Sequence, residues 1–169
     1  MSHAHIVRLR SVDDEFRAAR GALAFVLRSW SGLGETEELV GVSIPAARHA
    51  AIRVEDTYVV RLVTEFERVL YDWWRDSFPA KRVPRTLWGL INRVATARKV
   101  DGDIVQRAHD VREYRNHLAH VVLSRRPPMP IGEALSSLSR FLAWLPSTVG
   151  RHSERPKSRS RLLCYWSLD

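Results

Sequence analysis

The sequence predicts an all-α protein, an up-and-down bundle of four to five helices. Three observations carry this. Apolar residues recur at spacings of three and four over several long segments, no stretch of useful length alternates as a strand would, and Pro- and Gly-rich breaks separate the periodic segments. No internal repeat and no Gly-rich phosphate loop competes with this reading.

The first helix is expected from an N-cap at Asp13 or Asp14 to about Trp30, with Phe16, Ala19, Leu23, Val26 and Trp30 along one face. SGLGE (31–35) breaks it, and GVSIP (41–45) continues the loop. A long helix follows, from about Pro45 or Val54 to Asp76. Its stripe of Val59, Leu62, Val63, Phe66, Val69, Leu70 and Trp73 is broad enough for a central position. FPAKRVP (78–84) is a second break. A shorter helix over 86–99 centres on Leu87, Leu90, Ile91 and Val94. After the DGD turn (101–103), Asp103 is the expected N-cap of a fourth helix, ended by SRRPPMP (124–130). A closing helix repeats Ile131, Leu135, Leu138, Leu142 and Leu145. Trp73, Trp74, Trp88 and Trp144 fall at spacings typical of core residues, with base stacking by one of them as the other reading.

At 169 residues the chain has the length of one domain with its own core, and 45% hydrophobic with 27% charged residues is ordinary soluble composition. Residues 1–147 are read as the helical domain and 148–169 as a basic, flexible tail. Within that tail RHSERPKSRSR (151–161) lacks apolar anchors, and LLCYWSLD (162–169) is apolar enough to fold back or engage a partner. The N-terminal MSHAHIVRLR has no apolar run that would serve as a signal peptide, and no run reaches membrane-spanning length. A single Cys164 excludes an internal disulfide framework. The expectation is a cytoplasmic protein that makes no use of a membrane.

A formal net charge of +8 and a pI near 10.5 point to a polyanionic partner. Only Lys81, Lys99 and Lys157 are lysines; the other cations are arginines. Guanidinium groups suit bidentate phosphate binding, and a GC-rich genome also spells its cations as arginine, so both explanations of the skew stand.

REYRNHLAH (112–120) packs two arginines and two histidines into a segment that otherwise reads as a buried helix. Ile104, Ala108, Val111, Arg115, Leu118 and Val122 form the expected core stripe of the fourth helix, which puts Arg115 on the apolar face. A guanidinium there is costly unless it is paired or offered to an anion. Glu113, Asn116, His117 and His120 share a polar stripe beside it.

YRNHLAH resembles the R-x4-H signature of the HEPN superfamily, all-α nucleases and nucleotide-binding domains in which a polar residue often follows the arginine. In this chain the matching positions are Arg115, Asn116 and His120. A second register, Arg112 to His117, is rejected because Glu113 follows the arginine there. LVTEFERVLYDWW (62–74) is similar to the family's earlier helix, where an acidic residue follows a large apolar one, here Phe66-Glu67. DGDIVQRAHDVREYRNHLAH resembles the approach to the motif, and IGEALSSLSRFLAWLP resembles the closing helix. The likeness spans roughly residues 13–147 and is nearest to the ribonuclease-like branch of toxin and defence proteins. Val121-Val122 stand where some members carry a tyrosine, so a tyrosine-modification switch does not carry over.

The resemblance implies a metal-independent endoribonuclease without a cofactor, acting as a homodimer whose motif helices meet at one composite cleft. His120 would take the proton of the attacking 2′-OH, Arg115 would stabilise charge on the phosphoryl oxygens, and Asn116 would orient the histidine or bond the phosphate. Glu67 would pair with Arg115, and Arg112 and His117 would contact RNA. Toxin relatives imply a cognate antitoxin as a further partner.

Other readings stand beside this one. Glu113, His117 and His120 lie at i, i+4 and i+7 with His109 one turn earlier, a spacing that a metal could use. His120 fits an ordinary structural histidine, and Glu65 rivals Glu67. A non-catalytic HEPN module would keep Arg115 for phosphate and dispense with His120. A purely structural helical protein would bury Arg115 in an internal salt bridge.

Overall fold

The computed structural model describes residues 3–30, 38–39, 42–119 and 127–146. Five helices account for about four fifths of them: α1 (His3–Ser29), α2 (Ile44–Ser77), α3 (Leu87–Arg98), α4 (Gly102–Ala119) and α5 (Ile131–Leu142). The all-α bundle expected from periodicity is the fold. One two-residue antiparallel ladder, β1 (Glu38–Leu39) with β2 (Val42–Ser43), lies between α1 and α2.

α1 begins ten residues before Asp13, so neither Asp13 nor Asp14 caps it. Ile6, Leu9 and Val12 extend the apolar stripe backwards from Phe16, and packing of that face carries the helix through the acidic pair. Asp13 lies buried inside the helix and pairs with Arg17, one turn on, at 2.7 Å. An acidic residue beside an apolar run looks the same in sequence whether it caps a helix or braces its middle.

α2 takes the earlier of its two expected starts, which cuts short the loop expected through residue 45. The Ser43 hydroxyl accepts from the Ala46 N–H at 3.4 Å, and Pro45 occupies the first turn, where its missing N–H costs nothing. At 34 residues α2 runs about 51 Å and packs against all four other helices. Its whole expected stripe, from Val59 to Trp73, is buried. Phe66 meets Phe141 of α5 edge-to-face at 5.6 Å, near the middle of a core that spans Leu9 to Leu145. A second, small cluster of Trp30, Ile44 and Ala47 joins the far end of α1 to the start of α2.

α3 is capped by Thr86, whose hydroxyl accepts from the Gly89 N–H at 3.1 Å, and closes on Lys99 in a left-handed conformation with φ of 53°. α4 starts one residue before Asp103. The cap is Asp101, whose carboxylate accepts from the Asp103 N–H at 2.9 Å, so Asp103 belongs to the first turn. α5 has no side-chain cap from its own approach, since Pro130 precedes it. Glu55 of α2 supplies one instead, accepting from the Ile131 N–H at 2.9 Å.

Trp73 and Trp74 are core, as their spacing suggests; Trp88 and Trp144 are 56% and 40% exposed and are not. Among the described residues no helix is long and apolar enough to cross a membrane. The tail from 148 to 169 lies outside the described residues.

Candidate functional site

The C-terminal half of α4 is fixed to α2 by Tyr114. Its phenol is buried and donates to the Asp56 carboxylate at 2.8 Å. Burial, and then the bond to Asp56, push the phenol above its ordinary titration range. Asp56 adjoins Glu55, the cap of α5, so consecutive acids of α2 hold both α4 and α5 in register. Arg115 follows Tyr114 directly, and its position is set by that anchor.

The Arg115 side chain is 27% exposed, so it sits on the inward-facing side of α4 without being sealed there. Its Nη2 lies 3.5 Å from Glu67 Oε2 on α2. Glu67, and not Glu65, is the carboxylate that meets it. One turn earlier Arg112 is still less exposed, at 18%, and its Nη2 donates to Glu113 at 3.2 Å. The residue that disqualifies the Arg112 register is thus the one that ties up Arg112. The Nε donors of both arginines are buried without a hydrogen-bond partner. An unsatisfied buried donor typically costs about 1–3 kcal/mol.

Asn116 and His117 are half-buried on the same half of α4. His120 lies outside the described residues, as do Val121 and Val122. An ideal helix would put Arg115 and His120 about 140° apart, an awkward separation for one pair within a chain unless the helix bends or both subunits contribute.

His109 opens the polar face of α4. It is buried, its Nε2 is 3.3 Å from Asn92 Oδ1 of α3, and its ring lies 6.1 Å from that of Trp88. Burial, and then the Arg112 charge, lower its pKa and favour the neutral imidazole. Among the described residues no three His, Cys, Asp or Glu side chains gather as a metal site. A groove of about 510 Å³ lies elsewhere, lined by Trp74, Phe78, Lys81, Arg93, Thr96 and Ala97, none of them in the motif.

Three relationships escape sequence spacing: Tyr114 with Asp56, Glu55 with α5, and Trp88 with His109. Each joins residues on different helices. The available signal for the last was an aromatic residue inside an arginine-rich stretch.

The chain matches no protein-family model, no curated protein and no solved structure.

Proposed function

We propose that the chain is a HEPN-type, metal-independent endoribonuclease. The observation that carries this reading is Arg115, a partly exposed guanidinium on the inward face of α4, held 3.5 Å from Glu67 of another helix. The pair is open to solvent on one side, and a phosphate reaching Arg115 would approach from there.

The substrate is RNA, whose 2′-OH supplies the nucleophile. His120 takes the 2′-OH proton, the 2′-oxygen bonds to phosphorus, and the bond to the 5′-oxygen breaks as that oxygen gains a proton. The products are a 2′,3′-cyclic phosphate and a 5′-OH. Arg115 stabilises the phosphoryl charge, Asn116 orients the histidine or the phosphate, and Glu67 positions Arg115. Arg112 and His117 contact the flanking RNA. The net charge of +8 draws the polyanion in. A homodimer that brings two α4 helices together answers the 140° separation. By analogy with ribonuclease-like HEPN proteins, the setting is a cytoplasmic toxin or anti-phage effector, with an antitoxin as a further partner.

The partly exposed Arg115 guanidinium also fits a module that binds RNA or nucleotides without cutting. Labelled RNA and DNA of the same sequence, each incubated with the protein in EDTA, separate the two. RNA cut and DNA intact is the expected result; both bound and neither cut would establish the non-catalytic module.

A further inference from the structure

Trp88 sits on the first turn of α3, where Leu87, Leu90, Ile91 and Val94 face the core. Its own indole stays 56% exposed. Single exposed apolar side chains are common and need no explanation. What sets Trp88 apart from exposed Phe25 or Ile52 is its backing. The ring stacks on the His109 imidazole with 27° between planes and 6.1 Å between centroids. Asn92 bridges the pair: its amide donates to the Trp88 carbonyl at 2.9 Å, and its Oδ1 lies 3.3 Å from His109 Nε2. The result is an aromatic surface held from behind and open in front.

Its location gives that surface a use. His109, Arg112 and Asn116 fall within about 60° of one another around α4, over an axial distance of about 10 Å. The indole therefore adjoins the start of the α4 face that carries Asn116, with Arg115 about 60° further round than Arg112. The segment bearing Trp88, residues 77–100, has six exposed cations (Lys81, Arg82, Arg85, Arg93, Arg98 and Lys99) and no carboxylate. A backed aromatic face in a cation-rich segment has the ingredients with which single-stranded nucleic acid is held, bases stacking while phosphates pair with charges. A duplex keeps its bases stacked on each other and would offer none to the ring.

We infer that Trp88, backed by His109 and Asn92, is a stacking platform for an unpaired nucleobase of RNA flanking the motif site. The inference rests on the ribonuclease reading for its substrate, and it is tested by binding alone. The probe is a fluorescein-labelled, fully 2′-O-methylated 12-nucleotide RNA, which has no free 2′-OH to attack. Affinity is read by anisotropy for the full chain, for Trp88→Ala and for Trp88→Phe, with circular dichroism to verify folding. Trp88→Ala is expected to weaken binding by about ten- to a hundred-fold, and Trp88→Phe to retain most of it. A series of probes, each with one abasic position, should show one position that costs wild type a similar factor and costs Trp88→Ala nothing further. That coupling is a readout that altered packing around His109 would not produce.

Equal affinities for wild type and a folded Trp88→Ala would overturn the platform and leave the exposed indole to a protein contact. Absence of the abasic coupling would overturn it as well, as would a wild-type protein that fails to bind the probe. Wild type that shows the coupling but cuts no unmodified RNA upholds the platform and overturns only the ribonuclease reading.

Discussion

Arg115 on α4 and Glu67 on α2 meet with 3.5 Å between guanidinium nitrogen and carboxylate oxygen, although 48 residues separate them in the chain. Both side chains are partly exposed, so solvent screens the pair and its contribution to stability is small. On the proposed reading its value lies in holding a cation where a phosphate would approach.

Glu67→Gln keeps the side chain's size and removes its charge. Thermal unfolding should move by no more than the equivalent of about 1 kcal/mol. RNA cleavage should fall by roughly ten- to a hundred-fold through kcat rather than KM, because Arg115 loses its positioning partner. Glu67→Asp should recover part of that loss. A large drop in stability with kcat unchanged would make the pair a structural brace.

Tyr114→Phe should cost about 1–2 kcal/mol, since it strands part of Asp56 without its phenol donor. The raised pKa of Tyr114 adds a dependence on pH. A phenol that ionises later in the folded state than in the unfolded one contributes fully below the unfolded value of about 10. That contribution is lost as pH rises through the folded value. Urea titrations between neutral and strongly alkaline pH should show a steeper alkaline loss in wild type than in Tyr114→Phe. Parallel curves would mean that the phenol does not stabilise the fold in this way.

His109 has the opposite sign. Its folded pKa is lowered, by burial first and by Arg112 second, so its contribution is present above the unfolded value of about 6.5. It is lost as pH falls through the lower folded value, because the unfolded chain binds the proton more readily. His109→Gln should therefore flatten the acid limb of stability against pH. A residual slope should persist from His5, which burial and Arg8 shift the same way. Identical acid limbs in both proteins would contradict this.

Much of the fold was legible because the long helices carry complete apolar stripes. The seven stripe residues of α2, Val59, Leu62, Val63, Phe66, Val69, Leu70 and Trp73, could be placed in the core from spacing alone, and all seven are buried there. Helix starts were less legible. Asp13 has the same local neighbourhood as a cap, and only the packing of Ile6 and Leu9 reveals that the helix began earlier. Asp101 and Asp103 flank one glycine, and backbone geometry rather than composition decides between them.

The candidate site divides along the same line. Arg115 stood out as a cation on an apolar face, and its meeting with Glu67 was expected from the family resemblance. Tyr114 lies beside it yet was outside the expected stripe. The buried arc of α4 is wider than one row of residues, and Asp56, the group that satisfies the phenol, is 58 positions away. Trp88 looked like core because periodicity reports a helix face and says nothing of what covers it.

The most direct measurement is the identity of the ends left on a labelled RNA by wild type, His120→Ala and His117→Ala in EDTA. Wild type is expected to leave 2′,3′-cyclic phosphate and 5′-OH ends without added metal. His120→Ala should bind RNA but not cut it, and His117→Ala should retain most activity. Cleavage that appears only with a divalent cation would shift the case to Glu113, His117 and His120, and full activity in His120→Ala would contradict the proposed chemistry outright.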